Sequence, residues 1–164
     1  MILETERLIL REFTHSDTSF ILKLLNTPNW LKFIGDKDVH NLNDAESYLL
    51  KGPITSYKEN GFGLWLVSLK ESEEPIGMCG LIKRDYLDDI DIGFALMPNF
   101  EGLGYGYEMA AGTVEFAGRE LKIDKIIAIT DVNNFSSIKL LNKLGLHFKK
   151  NIITPYANTV SLFS

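Results

Sequence analysis

Three glycines at every second position, Gly102, Gly104 and Gly106, stand between a β-type run, Asp91-Ile92-Gly93-Phe94-Ala95-Leu96-Met97, and an amphipathic helical pattern that starts at once. The first backbone N–H groups of a helix have no partner within it and lie at the positive end of the helix dipole, so such a loop suits an anion. Glycine lets a diphosphate approach where a Cβ would collide. Two familiar phosphate motifs fail on residue identity. A dinucleotide fingerprint G-x-G-x-x-G meets Tyr107 at its sixth position counted from Gly102, and Met109 counted from Gly104. A phosphate loop ending in G-K-[ST] meets Tyr107 and Glu108. A tight turn without a ligand is the plainer alternative.

A second group that could do chemistry is acidic: Asp85, Asp88, Asp89 and Asp91 precede the glycine loop. Asp89, Asp91 and Gly93 share one strand face, while Ile90, Ile92 and Phe94 share the other. Asp88 and Asp89 read as solvated turn charges; Asp91, leading an apolar run, reads equally as a turn charge or a proton acceptor. Other reactive types are scattered. His15, His40 and His147 accompany no nucleophile motif, and Cys79 in Gly77-Met78-Cys79-Gly80 has no activating partner, so it reads as a small strand residue.

The elements that must position these residues alternate in type. Leu3–Arg11 alternates as a strand, with Leu8 and Leu10 on one face. Ser16 and Asp17 precede a helical spacing of Phe20, Ile21, Leu24 and Leu25, closed before Pro28. Residues 29–34 form a short aromatic turn or helix. A helix starts at Asn43 and runs to Lys58 or Glu59, with a break near Gly52 because Pro53 follows. Residues 63–69, 75–84 and 89–97 are three β-runs, most simply antiparallel neighbours. Residues 104–121 are helical, with Ala110, Val114, Ala117 and Leu121 in one stripe and Glu115 four residues before Arg119. A strand at 125–130, a helix carrying Ile138, Leu141 and Leu144, and strands at 146–153 and 159–163 complete a mixed α/β (α+β) domain spanning residues 1–164.

Composition bounds the partners. With 17 basic and 22 acidic side chains the formal charge is −5, which disfavours a nucleic-acid binder that relies on phosphate neutralisation. One cysteine excludes an internal disulfide, and no Cys/His spacing suits a zinc site, so no metal is expected. The charged N-terminus Met-Ile-Leu-Glu-Thr-Glu-Arg is neither a secretory leader nor a membrane span, and the expected setting is cytoplasmic, away from membranes.

The chain resembles the GNAT superfamily of acetyl-CoA-dependent N-acetyltransferases, whose hallmark Q/R-x-x-G-x-G/A opens the central helix. Glu101-Gly102-Leu103-Gly104-Tyr105-Gly106 occupies that motif, and Leu96 holds the hydrophobic position five residues earlier. Leu3-Glu4-Thr5-Glu6-Arg7-Leu8-Ile9-Leu10-Arg11 is similar to the first strand of the ribosomal-protein N-acetyltransferase (RimJ/RimL-like) branch. Residues 75–81 resemble its third strand, and Asn134-x-x-Ser137 with Lys143-Leu144-Gly145 its second motif. The resemblance implies a mostly antiparallel central sheet of about seven strands flanked by helices. It implies acetyl transfer from acetyl-CoA to a primary amine, by direct attack in a ternary complex.

Site roles follow from the resemblance. Backbone of Phe94–Met97 would hold pantetheine, and the N–H of Leu96 or Ala95 the oxyanion. Residues Gly102–Tyr107 would hold the diphosphate, with Asn134, Ser137 and Lys143 also on the cofactor. Glu101 departs from the Q/R position and places an acid beside that diphosphate, implying weaker binding unless it points outward. Asp91 is the first candidate base. The tyrosine acid of many relatives would fall at position 141, here Leu141, which leaves Tyr156, another aromatic, water or the amine's own proton. Trp30, Phe33, Tyr48 and Tyr156 would wall an acceptor pocket, with Asp85–Asp91 favouring a cationic amine: a protein N-terminus or a small amine. Monomer and homodimer are both compatible. A catalytically silent CoA-binding regulatory module and a domain that keeps only the fold are the rival readings.

Overall fold

The computed structural model describes residues 1–164. The N-terminal β-pattern is two strands, β1 (Leu3–Glu4) and β2 (Leu8–Arg11), paired antiparallel with Leu3 opposite Leu10. The turn between them closes on Thr5: its N–H donates to the Leu8 carbonyl at 2.9 Å, and its Oγ1 accepts from the Leu8 N–H at 3.1 Å. This hairpin raises the sheet from the expected seven strands to eight.

Four helical segments follow: α1 (Thr18–Leu24), α2 (Pro28–Phe33), α3 (Leu42–Leu49) and α4 (Thr55–Asn60). Asn41, two residues before the expected start, caps α3 by accepting the Asp44 N–H at 2.8 Å. No break occurs near Gly52. A π-helical turn at Leu50–Ile54 takes in Pro53 and passes directly into α4, since the wider turn accommodates a residue that cannot donate.

Strands β3 (Leu64–Leu69), β4 (Pro75–Ile82) and β5 (Ile90–Leu96) are the expected antiparallel neighbours. Then come α5 (Tyr105–Arg119), β6 (Ile126–Asp131), α6 (Phe135–Lys143), β7 (Phe148–Ile153) and β8 (Thr159–Phe163). The sheet order is β1-β2-β3-β4-β5-β6-β8-β7, and only the β5–β6 pair is parallel. No helix is long and apolar enough to cross a membrane.

Period-two alternation in the central strands feeds two cores. Trp65, Val67 and Cys79 join Leu8, Leu10, Met109, Ala110 and Leu141 on the α5–α6 face. Leu66 and Met78 join Ile21, Leu24, Trp30 and Leu49 on the α1–α3 face. Each fully buried side chain such as Leu66 contributes about 1.5–3 kcal/mol.

The topology opens one gap. β5 and β6 pair only at Ile90–Ile126 and Asp91–Ile127. Beyond that point β6 turns to β8, with Ala128 opposite Phe163 and Asp131 opposite Val160. The stretch of β5 after Asp91 therefore has a strand partner on its β4 side alone.

Candidate active site

The unpaired edge of β5 can be read from its ladder. The Met97 N–H donates to the Ile76 carbonyl at 2.7 Å, so Met97 turns its backbone toward β4. Antiparallel pairing alternates, and the β4–β5 register is uninterrupted from Gly77–Leu96 to Ile82–Asp91. Ala95 and Gly93 thus also face β4, while Leu96 and Phe94 present N–H and C=O to the gap. Of the two expected oxyanion donors, Leu96 is on the open side and Ala95 is not. Met97, expected to bind through its backbone, has its amide committed.

Past β5 the chain makes a tight turn at Pro98–Phe100 and enters the glycine loop. Gly102 and Gly104 have φ of +72° and +85°, a left-handed conformation that a Cβ disfavours. Gly106 serves close approach, since a Cβ there would lie 3.0 Å from Leu140 Cδ1 of α6. The result is a run of donors: none of the six amides from Gly102 to Tyr107 donates to a backbone carbonyl, and the first bonded one is Glu108, to Gly104. Successive free amides at a helix N-terminus form an anion cradle.

The N-terminal hairpin supports this loop, a contact invisible to periodicity. Arg7 Nη1 donates to the Leu103 carbonyl at 3.1 Å and its Nε to Glu108 Oε2 at 2.6 Å. Glu108 Oε1 accepts from Thr5 Oγ1 at 2.6 Å and the Arg7 N–H at 2.7 Å. Burial pushes the Glu108 carboxyl up, but these bonds outweigh it and hold it below the usual range. Nothing in the sequence pattern marks this contact, since residues 3–11 read there as one strand.

Glu101 is exposed and turned toward α2, where Asn29 Nδ2 lies 3.1 and 3.2 Å from its two oxygens. Tyr107 and Lys143 come together, with Lys143 Nζ 4.2 Å from the Tyr107 ring centroid. Asn134 caps α6, its Oδ1 accepting the Ser137 N–H at 3.3 Å.

On the α1–α3 side of the sheet, Asp91 is 1% exposed and held by Arg84, whose Nε lies 3.2 and 3.3 Å from the carboxylate oxygens. Burial pushes the Asp91 carboxyl up, and the guanidinium offsets this only in part. Arg84 was missed because the sequence reads it as the last residue of the 75–84 β-run, whereas the strand ends at Ile82 and Arg84 turns back to Asp91. Asp89 pairs with Lys125 at 2.7 Å, so two of the four aspartates expected to give negative potential already have cationic partners. Tyr48 lines a cavity of about 410 Å³ with Lys37, Val39 and Ser47, and burial pushes its phenol up to about 12.

Three expected residues sit elsewhere. Trp30 is buried in the α1–α3 core, so packing places it and not an acceptor. Phe33 is half-buried, with Lys32 Nζ 4.9 Å above its ring. Tyr156 is 81% exposed in the turn between β7 and β8. Leu141, at the position counted for a tyrosine acid, is 1% exposed in the α5–α6 core. Asp36, Asp38 and His40 bring their ligand atoms within 4.8 Å of one another, a wholly exposed charge cluster after α2.

The family model of the acetyltransferase (GNAT) domain matches residues 7–147. The uncharacterised N-acetyltransferase YnaD of Bacillus subtilis strain 168 is 27% identical over 156 residues, covering 93% of this chain and 88% of its own. Among solved structures, the ribosomal L7/L12 α-N-protein acetyltransferase RimL, in complex with coenzyme A, superposes with a TM-score of 0.84 at 15% identity, over 99% of this chain and 95% of that one. A spermidine N-acetyltransferase SpeG chimera from Vibrio cholerae superposes with a TM-score of 0.78 at 17% identity, over 95% and 93%.

Proposed function

The chain belongs to the acetyltransferase (GNAT) domain family, and from that premise we propose that it carries an acetyl group from acetyl-CoA to a primary amine, preferring a peptide or protein N-terminus, by direct attack in a ternary complex. One observation carries the reading: six consecutive free amides at the start of α5 stand beside the open edge of β5. The diphosphate belongs on Gly102–Tyr107, and Lys143 over Tyr107 adds positive charge at that side. Phe94 and Leu96 offer the backbone groups that extend along pantetheine.

In the reaction the amine nitrogen bonds to the thioester carbon, the carbonyl oxygen gains charge, and the C–S bond then breaks. The Leu96 N–H donates to that oxyanion, which is where preorganised donors contribute most. The amine must arrive as a free base. Asp91 remains the proposed acceptor of its proton: burial raises its basicity, although Arg84 limits this. The leaving thiolate takes a proton from the reacting amine, because Tyr156 is out on the hairpin tip and position 141 is core. Asn134 and Ser137, joined by the cap at the start of α6, would be further cofactor contacts.

The acceptor preference rests on charge. With Asp89 and Asp91 both paired, the wall is less anionic than a polycation would require. The silent-module reading loses one of its two motives, since Glu101 is held by Asn29, while the lack of a tyrosine at position 141 still motivates it. A thiol-release assay with acetyl-CoA against N-terminal peptides, polyamines and aminoglycosides tests the proposal. Turnover highest on peptides is expected; tight CoA binding with silence across the panel would return the chain to the regulatory reading.

A further inference from the structure

We propose that Arg7 is a positioning residue of the acetyl-CoA site: from the N-terminal hairpin it holds the glycine loop with its amides forward and keeps the Glu108 carboxylate away from the bound diphosphate. The inference rests on the acetyl-CoA reading above and adds a residue a hundred positions upstream of the loop.

Glu108 lies in the first turn of α5, close enough to the free amides for its carboxylate to be drawn to them and to the positive end of the helix dipole. Here it would then compete with the ligand for the same donors. Instead both its oxygens are taken by Thr5 and Arg7, through the three bonds described above. The same guanidinium donates to the Leu103 carbonyl, which lies between the two left-handed glycines. A flip of that peptide would swing a carbonyl to where an amide is needed, and the Arg7 bond opposes the flip. Arg7 also stacks on Tyr105, with Cζ 4.2 Å from the ring centroid, and its Nη2 lies 3.2 Å from where a Cβ on Gly104 would sit. One side chain thus reaches residues 103, 104, 105 and 108. Its place is the end of a groove of about 540 Å³ lined by Thr5, Arg7, Gly104, Tyr107 and Glu108. An exposed ion pair adds little to stability as such. What this one controls is the direction of a carboxylate and a peptide plane at an anion site.

The test compares two acetyl donors, acetyl-CoA and acetyl-pantetheine, the second of which lacks the diphosphate. The readout is the ratio of their kcat/KM values at a fixed amine acceptor. Arg7→Gln lowers that ratio about tenfold, the loss falling on the KM for acetyl-CoA, as expected for one charged hydrogen-bonding anchor. Arg7→Lys keeps the charge but cannot hold Leu103 and Glu108 together, and lowers the ratio about threefold. An unchanged ratio in both variants overturns the proposal, as does an equal fall on both donors, which would mark a merely structural role. If Arg7→Gln does not fold, the Arg7→Lys ratio decides alone. Wild-type protein that uses neither donor defeats the acetyl-CoA reading itself, whereas normal wild-type turnover with unchanged variant ratios defeats only the role of Arg7.

Discussion

On the β5–α5 side of the proposed cleft the polar groups without a partner are backbone: the amides of Gly102–Tyr107 and the open edge at Phe94 and Leu96. On the α1–α3 side the polar groups are side chains, chiefly the buried Asp91 paired with Arg84 and the half-buried Tyr48. The first kind of surface depends on chain direction and glycine, so it tolerates almost any residue between the glycines. The second depends on which charges happen to meet. A cofactor common to many relatives suits the first, and an acceptor that differs among them suits the second.

Removing one partner of the buried pair attacks the side-chain half most directly. Asp91→Ala leaves Arg84 without its carboxylate and should lower unfolding free energy by about 3 kcal/mol in urea titration. CoA affinity by calorimetry should stay within about threefold, because no Asp91 atom supports the amide run. A loss of CoA binding equal to the loss of stability would erase the distinction between the halves. Asp91→Asn, which keeps an acceptor for Arg84, separates this structural role from proton transfer: wild-type turnover across pH would remove Asp91 as base.

The converse change is Gly104→Val. A β-branched residue at φ +85° is strained, and relief of that strain turns the amides. CoA affinity should fall about 30-fold, while the KM for the acceptor changes little. A fall on the acceptor alone would invert the comparison.

Within the side-chain half, two Asp–Arg pairs divide by geometry. Burial pushes both carboxyls up. At Asp17, Arg11 binds both oxygens at 2.8 and 2.9 Å and the Thr14 N–H donates at 2.8 Å, so the carboxyl ends below its ordinary value. At Asp91 the single Nε of Arg84 does not overcome burial, and the carboxyl ends above it. The signs are opposite. Asp17 contributes stability above the unfolded pKa of about 3.9, lost as pH falls through its lower folded value. Asp91 favours its neutral form, so its contribution is fullest below about 3.9 and declines as pH rises through its raised value. Asp17→Asn should therefore cost about 1.5 kcal/mol at pH 7, with the gap to wild type closing on the acid side of the unfolded value of about 3.9. A constant gap down to acid pH would show that the contact is not ionic.

The same division governs what could be read from sequence. The loop was legible because the positive φ of Gly102 and Gly104 favours glycine, and α5 because its stripe repeats at helical period. β3–β5 were legible as alternating neighbours. The β1–β2 hairpin was not, since no glycine or proline marks its three turn residues, although pairing Leu3 with Leu10 shifts the phase of the alternation. Arg7 with Glu108, Asn29 with Glu101 and Arg84 with Asp91 were hidden for another reason: each joins residues whose positions in sequence carry no common period. Trp30 and Leu141 show the remaining limit. Aromatic or apolar type alone does not tell a cleft from a core.

The smallest effect is expected where the sequence alone suggested trouble. Glu101 holds an acid where the family hallmark has Gln or Arg, and an acid beside a diphosphate should weaken binding. Its carboxylate instead meets Asn29 Nδ2 through both oxygens and is exposed to water. Water screens an exposed charge over a Debye length of about 8 Å, so little repulsion reaches the loop at physiological salt. Glu101→Gln should tighten CoA binding by no more than about twofold, and raising salt should shrink even that difference. A gain above fivefold would mean that Glu101 faces the amides in solution and that the cofactor side also depends on a side-chain charge. Asn29→Ala sharpens the point, because freeing Glu101 to swing toward Gly102 should then make the Glu101→Gln gain larger than it is in the wild-type background.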